Sequence, residues 1–234
     1  MATSEPVRRS AAALLRLTCR PEVTGMDQVP AEGPFIMASN HLSFFDSVIL
    51  QALAPRPVHF FAKEEYFTGA GVRGRAQRWF FESVGSVPVR RGEQAASVAA
   101  LESLVGLLES GQGVGIYPEG TRSHDGRLYR AKIGVARLVM ESGAPVIPIA
   151  MINTDVVQPL GTPFPAPWRQ KGKRVKTIFG EPLDFSEYKG RTGDRVAARE
   201  ISDRIIQAIQ ELSHQEYVDV YAADARRDLE RGAS

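Results

Sequence analysis

Cysteine is nearly missing from this chain of 234 residues: Cys19 stands alone, which excludes a disulfide within the chain and fits a reducing compartment. Long apolar runs are missing too. The longest near the start is Ala11-Ala12-Ala13-Leu14-Leu15, far short of the ~20 residues a membrane-crossing helix needs, so no span is expected. Arg16 interrupts that run and no small-residue cleavage site follows it. A signal peptide is therefore not expected, and the chain should stay on the side where it is made. Net charge is only +2, so any preference for charged partners must come from local clusters. No Walker or dinucleotide loop is present, no Ser occupies a Gly-x-Ser-x-Gly elbow, and no His, Cys or acids show metal-ligand spacing with a third partner. These absences speak against nucleotide-dependent, serine-nucleophile and metal-dependent chemistry.

What is present is enough for one full core. With 43% apolar and 24% charged residues, the chain fits one large domain better than two small ones. Short apolar runs alternate with helical patterns, which predicts an α/β single domain: a largely parallel mixed sheet flanked by helices. The strand candidates are Phe35–Ser39, Val58–Ala62, Gly113–Tyr117, Pro145–Met151 and Val175–Phe179. Helical spacing runs through Ser43–Leu53, Trp79–Val84 with residues before it, Gln94–Ser110, Lys132–Ser142 and Asp194–Leu212. Residues 158–176 carry four prolines and then a basic run, and read as a loop. The expected division is an N-terminal amphipathic, membrane-contacting helical segment over 1–20, the main domain over 21–213, and a helical tail over 214–234.

Charge is unevenly spread. From Arg56 to Arg91 there are seven Lys/Arg against three acids, and from Arg169 to Lys176 five Lys/Arg and no acid, whereas Asp194 to Ser234 holds nine acids against six Arg. The middle of the chain is its cationic part.

Three stretches carry candidate chemistry. In Asn40-His41-Leu42-Ser43-Phe44-Phe45-Asp46 an apolar strand ends and a helix begins, where ligands gather in open α/β sheets. An imidazole there can take a proton from an alcohol, and a carboxylate on its far nitrogen would hold the tautomer. Five residues apart, the pair would point roughly 140° from each other on a continuous helix, so they meet only if His41 lies in the turn before it. The alternative is a capping box, with Asp46 satisfying backbone N–H groups at the helix start; both roles can coexist. The second stretch, Tyr117-Pro118-Glu119-Gly120-Thr121-Arg122-Ser123, offers a permissive glycine, hydroxyls and a guanidinium fork suited to phosphate. Glu119 would repel an anion, so it is expected to grip a hydroxyl, an Arg or backbone N–H groups; the bland reading of the stretch is a Pro-Gly turn with a solvated Arg. The third, Gly85 to Arg91, ends in paired arginines, a pattern that is usually just solvated. His59, His124 and His214 read as structural or solvated.

Together these stretches resemble the glycerolipid acyltransferase family, most closely its lysophosphatidate (1-acylglycerol-3-phosphate) acyltransferase branch. Asn40-His41 with Asp46 matches the first family block, Gly85 to Arg91 is similar to the second, Tyr117 to Ser123 matches the third, and Val146-Ile147-Pro148-Ile149-Ala150 resembles the fourth. The resemblance implies that residues 21–213 form an acyltransferase domain in which His41 deprotonates the acceptor hydroxyl and Asp46 orients it. It also implies that Asn40, Arg90, Arg91, Glu119, Gly120, Thr121 and Arg122 bind substrate. Pro88 stands where the second block often has an aromatic, which leaves the choice between Arg90 and Arg91 open. The implied donor is acyl-CoA or acyl carrier protein, the acceptor a lysophospholipid, with no bound cofactor and no covalent acyl-enzyme. Glycerol-3-phosphate, another lysophospholipid, or a catalytically silent lipid-binding role are the alternatives.

Such an acceptor lies in a bilayer, so some surface must dock as a peripheral or monotopic protein on the cytoplasmic face. Val7–Leu17, the Trp79-Phe80-Phe81 cluster with Arg73, Arg75 and Arg78, and Trp168 before the basic run are the candidates. Packing of the N-terminal helix on the sheet, or of Trp79-Phe80-Phe81 in the core, is the alternative for each. Without a nucleic-acid reader motif, the basic run is not expected to bind nucleic acid.

Overall fold

The structure, a computed structural model, describes residues 4–89, 94–162 and 164–232. Its strands are β1 (Glu22–Thr24), β2 (Phe35–Ser39), β3 (Val58–Lys63), β4 (Val87–Val89), β5 (Gly113–Ile116), β6 (Leu128–Tyr129), β7 (Val146–Ile152), β8 (Lys176–Phe179) and β9 (Tyr217–Val218). Seven form one sheet in the order β1-β8-β7-β2-β5-β3-β4. The β7–β8 pair is antiparallel and the others are parallel. The helices are α1 (Glu5–Thr18), α2 (Phe45–Leu53), α3 (Glu65–Thr68), α4 (Gly71–Ser83), α5 (Gln94–Glu109), α6 (Gly134–Ser142), α7 (Thr154–Val157), α8 (Arg195–Ser213) and α9 (Ala222–Gly232). The expected α/β single domain with a mostly parallel sheet is what the chain forms.

The sheet is apolar on both faces because helices cover both. Every residue of β2 is buried. On one face Leu104, Leu138 and Ile205 pack from α5, α6 and α8; on the other Leu15, Ile49 and Leu50 pack from α1 and α2. In β5, glycine makes room for aromatic neighbours. A Cβ on Gly113 would lie 2.2 Å from the Phe35 ring, and one on Gly115 2.0 Å from the Phe60 ring, closer than packed atoms approach. The start of α8 is fixed by Asp194, whose carboxylate accepts from the N–H groups of Val196 and Ala197, a strong N-cap.

Ala12 and Leu15 of α1, with Cys19 just after it, belong to the core beside α2. Arg8, within the Val7–Leu17 segment, is 5% exposed, and its guanidinium donates to the carbonyls of Gln51 (3.1 Å) and Ala54. It satisfies the unpaired carbonyls at the end of α2, where a cation also complements the helix dipole. In the region over 214–234, β9 pairs with β6 in a small parallel sheet before α9 begins. The aromatic cluster divides: Phe81 is buried and Trp79 is 60% exposed. Among the described residues, no helix is long and apolar enough to cross a membrane.

Candidate active site

β2 and β5 are hydrogen-bonded parallel neighbours, and the chain leaves the carboxyl end of each in a turn. In the first turn His41 precedes α2 while Asp46 lies in the helix's first turn, so the pair meets despite its spacing. His41 Nδ1 is 2.9 Å from Asp46 Oδ2. The same oxygen accepts from the backbone N–H groups of Leu42 and Ser43, both at 2.8 Å. One carboxylate thus folds the turn and holds the imidazole, and the capping and orienting roles coexist.

In the second turn Gly120 adopts φ +74°, a left-handed conformation that glycine takes without strain. Glu119 is 1% exposed, and its two oxygens accept from the N–H groups of His41 (3.1 Å) and Tyr129 (3.0 Å). Burial pushes its carboxyl up to about 8, against the lowering pull of those two donors. Tyr117 stacks on His41 with ring centroids 3.7 Å apart and planes 7° from parallel, while its hydroxyl meets that of Ser47 at 2.8 Å. Burial first, and then the charge of Asp46, hold the phenol well above its ordinary value. The imidazole is therefore gripped at its edge, on its face and through its own backbone.

His41 lines a cleft of about 380 Å³. Its lining includes the apolar and aromatic side chains of Phe60, Tyr66, Phe81 and Leu101 and the cations Lys63, Arg122 and Lys132. Apolar and cationic groups thus share one cleft with the imidazole. Among the described residues, no group of three or more His, Cys, Asp or Glu could hold a metal ion.

The sequence pattern of the family described as Acyltransferase matches residues 20–152, more than half of the chain. The chain belongs to this acyltransferase family. It is 32% identical over 142 residues to the chloroplastic 1-acyl-sn-glycerol-3-phosphate acyltransferase BAT2 of Brassica napus, an alignment covering 60% of this chain and 40% of that protein. The chain thus spans well under half the length of that relative. A 1-acyl-sn-glycerol-3-phosphate acyltransferase of Bacillus subtilis is 29% identical over 198 residues, covering 82% of this chain and 88% of that one. The crystal structure of the 1-acyl-sn-glycerophosphate (LPA) acyltransferase PlsC from Thermotoga maritima shares the fold, with TM-score 0.63 at 22% identity, over 89% of this chain and 78% of that chain.

The remaining site residues fall into distinct places. Gly120 and Arg122 line the cleft with His41, whereas Thr121 does not. Arg90 and Arg91 lie outside the described residues; Val89, just before them, lines the cleft. Asn40 and Glu119, both expected to bind substrate, have partners within the protein. Asn40 is 0% exposed; its amide donates to Met151 O (2.9 Å) and Gln215 Oε1 (2.7 Å) and accepts from Met151 N (2.7 Å). It ties the end of β2 to β7 and to the C-terminal region. Glu119 likewise holds backbone N–H groups, one of the partners expected for it. Tyr117, Lys132 and Gln215 were not anticipated. Tyr117 lay within the third block, but nothing in that pattern signals a ring stack; Lys132 and Gln215 carried no local signal.

Proposed function

We propose that this chain transfers a fatty acyl group from an acyl thioester to the free hydroxyl of 1-acyl-sn-glycerol-3-phosphate, giving phosphatidic acid. The observation that carries the proposal is the His41–Asp46 contact of 2.9 Å at the wall of a cleft lined by both apolar and cationic side chains. The names of the relatives support the same acceptor. His41 removes the hydroxyl proton through Nε2, the nitrogen that Asp46 does not hold. The alkoxide attacks the thioester carbonyl, the new C–O bond forms, the C–S bond breaks, and His41 returns the proton to the leaving thiolate. Asp46 fixes the tautomer and stabilises the imidazolium between the two transfers. Arg122 and Lys132 supply positive charge for the acceptor's phosphate, and the aromatic wall covers the acyl chain. The transfer is direct, with no acyl-enzyme and no bound cofactor; acyl-CoA or acyl carrier protein is the donor. The protein works as a peripheral protein on the cytoplasmic face of a membrane.

An acceptor panel tests this reading. One radiolabelled acyl-CoA is offered with lysophosphatidate, glycerol-3-phosphate and other lysophospholipids in detergent, and products are identified. Label is expected in phosphatidic acid. Label entering glycerol-3-phosphate instead would overturn the acceptor, and transfer to none of them would leave a lipid-binding protein without turnover.

A further inference from the structure

α4 has two unlike faces. Phe81 lines the cleft, stacked on Tyr66 of α3 with centroids 4.9 Å apart and planes 9° from parallel. Val72 and Trp79 point the other way, roughly 160–180° around the helix from Phe81 at ~100° per residue, and are 75% and 60% exposed. Arg75 shares their side, and Arg73 and Arg78 flank it. Arg78 pairs with Glu82 at 2.8 Å, while no carboxylate among the described residues pairs with Arg73 or Arg75. A tryptophan and a valine beside two unneutralised guanidinium groups match the interfacial zone of an anionic bilayer, where the indole prefers the headgroup level and the cations meet lipid charge.

Two other exposed apolar sites compete with this one. Leu14 and Leu17 of α1 are 61% and 73% exposed, and Trp168 in the proline-rich loop is 79% exposed. Among the described residues, neither α1 nor that loop contributes one to the cleft wall. α4 alone among these three joins an exposed apolar, cationic face to the wall of the acyl cleft.

We propose that the Val72–Arg75–Trp79 face of α4 is the surface that docks on an anionic phospholipid bilayer, leaving α4 as the wall between bilayer and cleft. The proposal rests on the membrane part of the function proposed above and names the surface and lipid charge it uses.

The chain has two tryptophans, so each can be observed alone. Trp168→Phe leaves Trp79 as the reporter, and Trp79→Phe leaves Trp168. On vesicles of phosphatidylcholine with phosphatidylglycerol, Trp79 emission is expected to shift to the blue and to be quenched by brominated lipid, while Trp168 shows neither change. Arg73→Gln combined with Arg75→Gln should weaken partition onto these vesicles about 30-fold, about fivefold per charge. It should leave partition onto phosphatidylcholine alone, and turnover with detergent-dispersed lysophosphatidate, unchanged. Trp79 emission that stays constant while the protein sediments with vesicles, a response of Trp168 alone, or no vesicle binding at all would overturn the docking face. Failure of turnover in detergent in the unsubstituted protein would instead overturn the catalytic reading.

Discussion

Two turns leave the carboxyl ends of β2 and β5 side by side, and each carries a buried carboxylate, yet the two acids do different work. Asp46 meets an imidazole and two backbone N–H groups on one oxygen. Glu119 meets backbone N–H groups only, one on each oxygen. The difference lies in which donors the turn brings within about 3 Å, not in residue type or place in the sheet. In the proposed reaction, a carboxylate holding a ring that must gain and lose a proton acts on turnover; a carboxyl holding backbone acts on the shape of the site. Glu119 nevertheless reaches the same ring's residue, because one of its two donors is the N–H of His41.

The contrast is tested most severely at Asp46. Asp46→Asn keeps the size of the side chain but loses the negative charge that fixes the tautomer, and should lower kcat by roughly 10³–10⁴-fold with a modest change in KM. A loss below about tenfold would make Asp46 a capping residue only.

At Glu119 the effect should be on stability. Glu119→Gln sets an amide N–H₂ against one of two backbone donors and should cost about 1–3 kcal/mol of unfolding free energy, read from the denaturant midpoint. The pH dependence has a definite sign. The folded carboxyl titrates at about 8 and its ordinary value is 4.5, so between those values the unfolded chain releases a proton that the folded chain keeps. Stability attributable to Glu119 is therefore fully present below 4.5 and falls through this window, by up to about 1.4 kcal/mol per pH unit. The stability of the wild-type protein should decline relative to Glu119→Gln as pH rises towards 8, and parallel curves would contradict the assignment.

The smallest effects belong to Tyr117, the side chain that links the turns. Tyr117→Leu removes a stack worth about 0.5–1.5 kcal/mol and should lower kcat by roughly two- to tenfold. Tyr117→Phe keeps the ring and should stay within about twofold. Equal losses in the two variants would show that the Ser47 hydrogen bond, and not the stack, is what matters.

Much of this architecture was legible because local rules govern it. β2, β3, β5, β7 and β8 announce themselves as apolar runs, since a strand covered by helices on both faces needs no polar alternation. β1, β6 and β9 are two or three residues long, too short for any periodicity, and they exist through pairing with distant partners. The His41–Asp46 contact was legible in outline because a strand end followed by a helix start confines both residues to one turn. The contacts of Asn40 were not legible because its partners Met151 and Gln215 lie 111 and 175 positions away. Those of Arg8 are equally remote: carbonyls more than 40 positions later draw it inward. A side chain's type tells what it can bind; which partner it finds depends on the long-range fold.

The claim on which the rest depends is that His41 is the general base of an acyl transfer. Thiol release from acyl-CoA, followed with and without lysophosphatidate for the wild type and His41→Ala, tests it directly. Acceptor-dependent release is expected in the wild type, with a loss of at least about 10²–10⁴-fold in kcat in the variant and the unfolding transition preserved. Near-normal acceptor-dependent release by folded His41→Ala would contradict it.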